Sequence, residues 1–258
     1  MKKTWLVVLS LFLALSLCAV AALGLQVNWQ SAQLQKLTKE YEDLLNQPTE
    51  DLYDSETFNY LAIGNSITSH GICSYWWNEI GMAATRADRD YVHIVTKYLE
   101  ETYGKVTRQV CKFSIWETQN TDRSQTFNML TEYLSPELDL ITLQLSENAK
   151  DLTTFIPDLT ELVTYLQTKC PNAKIVMVDD FWNEERSAMK KEVAENTGVP
   201  FASLADIRGL EEYQCGIGTI VYDEDNNKHK VTHEGVAIHP GDGGMYAIAT
   251  AIIEQLKK

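Results

Sequence analysis

The chain has 258 residues, 45% of them hydrophobic and 22% charged, with a formal net charge of −14. That length and apolar content are enough for one domain with a sizeable core after a short leader. The acidic balance excludes a phosphate-backbone reader and peripheral docking on anionic lipid through charge, so no nucleic-acid partner is expected.

Lys2 and Lys3 precede an uncharged stretch from Thr4 to Val27, and no charge follows until Lys36. A run of that length can cross a bilayer as a helix, and the lysines favour a cytoplasmic N-terminus. Residues 1–27 are therefore expected to be a signal-anchor, which places the remainder outside the cytoplasm on a bacterial membrane. The alternative is a signal peptide cleaved at Ala19-Val20-Ala21, giving a secreted product. A lipoprotein reading of Cys18 is weakened by the bulky Leu17 before it. Residues 28–52 form a polar connector. Leu34, Leu37, Tyr41 and Leu44 recur at helical spacing over about two heptads, which predicts a helical stalk or a helix packed on the domain.

From residue 53 onward, strands and helices alternate. Asn59–Ile63 reads as a first strand, Asp88–Glu101 as a helix, Val106–Ile115 as a second strand and Thr121–Tyr133 as a helix. Leu138–Leu145 follows as a third strand and Leu159–Thr168 as an amphipathic helix. Lys174–Val178 is almost entirely apolar, as a strand covered on both faces should be. A helix over Glu184–Asn196 ends at Gly198. Pro200–Leu204 is a short fifth strand, residues 205–235 a long loop with a short hairpin, and Gly244–Lys257 a final helix. Strict alternation with apolar strands predicts a five-stranded parallel sheet with helices on both faces. Such sheets bind ligands beyond the carboxyl ends of their strands, so the polar residues just after strands are the ones to weigh.

The first strand runs into Gly64-Asn65-Ser66-Ile67-Thr68. A serine on that turn is exposed at the ligand edge, and its backbone N–H can face a developing oxyanion; the plainer reading is a helix N-cap. The last helix is preceded by His239-Pro240-Gly241-Asp242. An imidazole titrates near neutrality and can take a proton from a serine hydroxyl; the plainer reading is a surface histidine. His70 and His233 lie close enough in sequence to line the same site, whereas His93 and His229 look bland. After the third strand, Asn148 offers an amide donor to the same oxyanion, or an ordinary turn.

Together these blocks resemble the SGNH/GDSL hydrolase family. Gly64-Asn65-Ser66-Ile67-Thr68 stands for its first block, Ser146-Glu147-Asn148 for its third and Val236-Ala237-Ile238-His239-Pro240 for its last. The resemblance runs from Phe58 to the C-terminus in the family's order. Trp77 to Ala84 with Asp90 to His93 looks like a bacterial branch whose first block reads Gly-Asn-Ser-Ile-Thr. The resemblance implies a flavodoxin-like three-layer α/β/α sandwich, Ser66 as nucleophile, His239 as general base, and the Ser66 N–H and Asn148 amide as oxyanion donors. It implies no cofactor and no metal.

Three departures stand out. Asn65 and Ser146 replace an aspartate and a glycine. Val236 stands where the triad aspartate belongs, three residues before His239. A Ser–His dyad is therefore expected, with Glu234 as the candidate orienter of the imidazole; Asp242 is also near but lacks the family spacing. The second-block glycine is missing around Ser114-Ile115-Trp116-Glu117. The expected function is hydrolysis of a small acyl ester, such as acetyl on a polysaccharide, through an acyl-enzyme. Its alternatives are an O-acyltransferase using the same site and a non-catalytic envelope-binding module on a degenerate scaffold.

Weaker signals accompany these. Cys73, Cys111, Cys170 and Cys215 permit disulfides in an exported domain, or pack as small hydrophobes. Trp76, Trp77, Trp116 and Trp182 suit sugar stacking or core packing. Asp179-Asp180 suits a carboxylate pair or a satisfied turn. Gly216-Ile217-Gly218 and His233-Glu234 lack the rest of a dinucleotide or zinc motif. Nothing in the sequence sets an oligomeric state.

Overall fold

Strand β1 (Phe58–Gly64) sends Leu61 and Ile63 to one face and Tyr60 and Ala62 to the other, and all four are fully buried. Alternation with both faces buried requires cover on both sides. In this computed structural model β1 lies inside a five-stranded parallel sheet with β2 (Val106–Lys112), β3 (Leu140–Gln144), β4 (Lys174–Val178) and β5 (Phe201–Ala202), in the order β2-β1-β3-β4-β5. The structure describes Ser31, Lys36, residues 52–119 and residues 122–258. The chain divides into units of residues 1–51 and Leu52–Lys258.

Six α-helices are described in the second unit: α1 (Tyr91–Tyr103), α2 (Ser114–Thr118), α3 (Phe155–Lys169), α4 (Glu184–Thr197), α5 (Glu234–Ala237) and α6 (Asp242–Leu256). On one face Leu61, Ile63, Ile141 and Leu143 pack with Leu159, Leu162 and Leu166 of α3 and Val193 of α4. On the other, Tyr60, Ala62, Val176 and Val178 pack with Tyr91 and Val95 of α1 and Met245, Ile248 and Ile252 of α6. The result is a three-layer sandwich. Helix signals in the sequence act as physical caps: the Asp90 carboxylate accepts from the His93 N–H at 2.7 Å, and Gly198 closes α4 at φ 72°.

Two readings of the sequence need correction. The second strand stops at Lys112 rather than Ile115, because the backbone leaves extended geometry at Phe113 (φ −120°, ψ 23°) and the Phe113 carbonyl accepts from the Trp116 N–H at 3.0 Å, opening α2. Buried Phe113 and Trp116 are three apart, a helical spacing hidden inside an apolar run. The segment read as helix over Thr121–Tyr133 is 3₁₀ over Arg123–Tyr133. The hairpin expected in residues 205–235 is β6 (Ile220–Tyr222) against β7 (Lys228–Lys230). Cys73, Cys111, Cys170 and Cys215 are all free thiols. The membrane helix over 1–27 lies outside the described residues, as does most of the 28–52 stalk, of which Ser31 and Lys36 are helical. Among the described residues no helix is long and apolar enough to cross a membrane.

Candidate active site

The chain leaves β1 through a turn that glycine makes possible. A Cβ on Gly64 would lie 1.9 Å from Thr68 Oγ1 and 2.7 Å from the Gln144 carbonyl oxygen, so any side chain there would collide with both. Beyond it, Thr68 and Ser69 both donate their N–H groups to the Asn65 carbonyl at 3.0 Å. The Ile67 N–H donates to Asn65 Oδ1 at 3.0 Å. This closed turn leaves Ser66 half-buried at the carboxyl edge of the sheet. Among the described residues, no acceptor pairs with the Ser66 backbone N–H.

His239 arrives from the far end of the chain. Ser66 Oγ lies 2.8 Å from His239 Nε2. The other ring nitrogen, Nδ1, lies 2.6 Å from the Gly235 carbonyl oxygen. A carbonyl only accepts, so this contact sets Nδ1 as the protonated nitrogen and leaves the Nε2 lone pair facing the hydroxyl. The imidazole is held further by Trp182, whose ring meets it edge-on at 5.1 Å and whose indole N–H donates to the Ile238 carbonyl at 3.1 Å. Burial pushes the His239 pKa down to about 4, against a smaller opposing effect of the Gly235 hydrogen bond, and His70 and His233 add to the fall. The ring is therefore neutral at neutral pH and able to take a proton.

The orienter expected from the sequence is not the one present. Glu234 is exposed at the start of α5, and the Gly235 carbonyl occupies the position at Nδ1 that a carboxylate would take. Val236 is fully buried with Trp76, Met82, Val221 and Val231, so its side chain belongs to a small apolar cluster. The Asp242 carboxylate is engaged elsewhere, accepting from the Thr85 N–H at 2.8 Å and the Thr85 hydroxyl at 2.7 Å.

Asn148 lines the same cleft, about 480 Å³ in volume, as Ser66 and His239. Its side-chain amide donates to Glu117 Oε2 at 2.7 Å, leaving the second amide hydrogen unused in that bond. His70 and His233 line the cleft too, with Tyr75 stacked on the His233 ring at 4.2 Å and Ser114 on the wall. His93 and His229 lie outside it, hydrogen-bonded to Asp90 and Asp223 at 2.8 Å each. Trp76 and Trp116 are core residues and Trp77 stacks on His229. Asp179 pairs with Arg208 and Asp180 with Arg186, which makes the Asp179-Asp180 step a satisfied turn.

Sequence reasoning missed what lies beneath the site. Glu117, fully buried, accepts through Oε1 from Asn65 Nδ2 at 2.9 Å and from the Ser146 N–H at 2.6 Å. Asn65 Nδ2 also donates to Glu147 Oε2 at 2.6 Å. An aspartate at position 65 would set a third carboxylate against these two; the amide supplies donors instead. Glu147 is raised to about 8, first by burial and then by the Asp180 charge. Ser146 takes φ 142° and anchors its hydroxyl to Asp180 Oδ2 at 2.7 Å. The signal for Glu117 was its place just after a strand beside Trp116, but no spacing rule tied it to Asn148.

No protein-family model matches the chain, and no curated protein matches it. Solved structures do. A Bacteroides uniformis protein described as a GDSL-like lipase superposes with a TM-score of 0.50 at 16% identity, covering 78% of this chain and 96% of that one. A two-domain esterase active on acetylated mannans superposes at 0.50 and 16% identity, covering 79% of this chain and half of its own length. The second unit of this chain thus has the fold of GDSL-like lipases and esterases.

Proposed function

We propose that the chain is a serine ester hydrolase that works through a Ser66–His239 dyad. The observation that carries this reading is the 2.8 Å approach of Ser66 Oγ to His239 Nε2, with Nδ1 already committed to the Gly235 carbonyl. Two side chains from opposite ends of the domain meet at the sheet edge where this architecture binds ligands. The mouth is a cleft of ester-accommodating size.

In the reaction, Ser66 Oγ attacks the ester carbonyl as its proton passes to His239 Nε2. The carbonyl π electrons move onto oxygen, and the oxyanion is met by the Ser66 N–H and the free Asn148 amide hydrogen. The imidazolium holds its second proton against the Gly235 carbonyl. Collapse of the intermediate breaks the C–O bond, and the Nε2 proton goes to the departing alkoxide. Water then enters, Nε2 takes its proton, the hydroxide adds to the acyl carbon, and the proton returns to Ser66 Oγ as the carboxylic acid leaves.

The substrate class that fits is a small acyl ester on a carbohydrate: hydroxyl, amide and imidazole side chains line most of the cleft, the Tyr75–His233 stack offers a flat face, and the fold is shared with an acetyl-mannan esterase. The apolar run at residues 4–27 supports work outside the cytoplasm, held at the membrane. The direct test is turnover of p-nitrophenyl acetate by the full-length chain. Ser66→Ala and His239→Ala should each reduce kcat by at least about 10³-fold. A Ser66→Ala rate equal to the parent would remove Ser66 from the reaction.

A further inference from the structure

We infer that Glu117 is the positioning residue of this site, setting the Asn148 amide and the nucleophile turn in one frame; the inference rests on the hydrolase reading above. The carboxylate is fully buried and gathers four donors from two loops. From the loop after β3 come the Ser146 N–H at 2.6 Å, the Asn148 N–H at 3.3 Å and Asn148 Nδ2 at 2.7 Å. From the turn after β1 comes Asn65 Nδ2 at 2.9 Å. Asn65 is the residue before Ser66, and Asn148 is the amide facing the cleft. One side chain therefore fixes the spacing between the nucleophile and its oxyanion donor.

The chemistry of the acceptor matters. A carboxylate is acceptor-only, so it can take all four N–H groups without presenting a hydrogen to any of them. Binding one Asn148 amide hydrogen at Oε2 fixes the amide plane and aims the other hydrogen away from Glu117. A glutamine offers one acceptor oxygen and puts an NH₂ where the second oxygen was. Either the Asn148 amide or the Asn65 and Ser146 donors then face another donor. Glu117 itself touches no reacting atom; it acts through Asn148 and Asn65.

The test is a double-mutant cycle on p-nitrophenyl acetate hydrolysis, with kcat and KM separated. Glu117→Gln should lower kcat by about 10- to 100-fold, approaching the effect of losing one oxyanion donor, while KM changes less than about 3-fold. In an Asn148→Ala background the same Glu117→Gln change should cost less than about 3-fold, because the group it positions is already gone. Glu117→Asp keeps an acceptor-only group and should recover part of the lost kcat. It also carries the cycle should Glu117→Gln fail to fold by circular dichroism. Equal losses in both backgrounds, or a fall in melting temperature with kcat unchanged, would overturn the positioning role. Absence of Ser66-dependent turnover in the parent would remove the hydrolase reading and this role together. Ser66-dependent turnover with independent losses would remove the role of Glu117 alone.

Discussion

Placing an aspartate at position 236, three residues before His239, should harm this protein. Val236 is fully buried among Trp76, Met82, Val221 and Val231, and Nδ1 of His239 is already held by the Gly235 carbonyl at 2.6 Å. Val236→Asp gives up about 1.5–3 kcal/mol of apolar burial. It also places a carboxylate in an apolar cluster, at a further cost of a few kcal/mol even after the group takes up a proton. A total of about 4 kcal/mol corresponds to a fall in melting temperature of about 8–16 °C for a domain of this size. Differential scanning calorimetry reads the stability, and kcat/KM on p-nitrophenyl acetate reads the site. The expected result is a lower melting temperature with no gain in kcat/KM. An unchanged melting temperature with kcat/KM raised about tenfold or more would mean that the carboxylate reaches His239 and would refute the carbonyl-held dyad.

Three further outcomes follow from the same geometry. Because burial lowers His239 to about 4, kcat/KM should stay flat through pH 6 and fall only near pH 4; a limb near the ordinary histidine value of about 6.5 would contradict that environment. Glu147 behaves oppositely in stability. Its folded value of about 8 lies above the unfolded value, so its contribution is full below about pH 4.5 and is lost as pH rises through 8. Denaturant titrations should show Glu147→Gln reducing the loss of stability between pH 5 and 8, and an unchanged pH slope would count against it. At position 146, Ser146→Gly relieves the φ 142° backbone but loses the buried bond to Asp180, whereas Ser146→Ala loses the bond and keeps the strain. Chemical denaturation should rank serine above glycine above alanine, with the alanine variant about 2–3 kcal/mol below the parent; an alanine variant as stable as the parent would refute the role of the hydroxyl.

The parallel sheet was legible because its strands are short apolar runs between amphipathic helices, and β4 over Lys174–Val178 coincides with its sequence reading. Local periodicity carries that information. It failed where an element is too short to show a period. β2 ends where the Phe113 backbone leaves extended geometry, and the short α2 that follows is one turn whose apolar residues look like strand. At the site, Ser66, Asn148 and His239 were visible because each sits just after a strand or before a helix in a recognisable block. What holds them was hidden. A backbone carbonyl as partner of His239 leaves no residue type to find, so the sequence points to Glu234, the carboxylate beside Gly235, instead. Glu117 shows its purpose only once the loops after β1 and β3 are placed side by side.

The central claim is that the Ser66 hydroxyl is the group His239 activates. Mass spectrometry of the full-length chain after treatment with a p-nitrophenyl alkylphosphonate tests it at the atom concerned. One phosphonyl adduct should form, on the peptide holding Ser66, with stoichiometric p-nitrophenol release, and it should vanish in Ser66→Ala and form far more slowly in His239→Ala. An adduct on another residue, or equal labelling of the His239→Ala chain, would contradict the account.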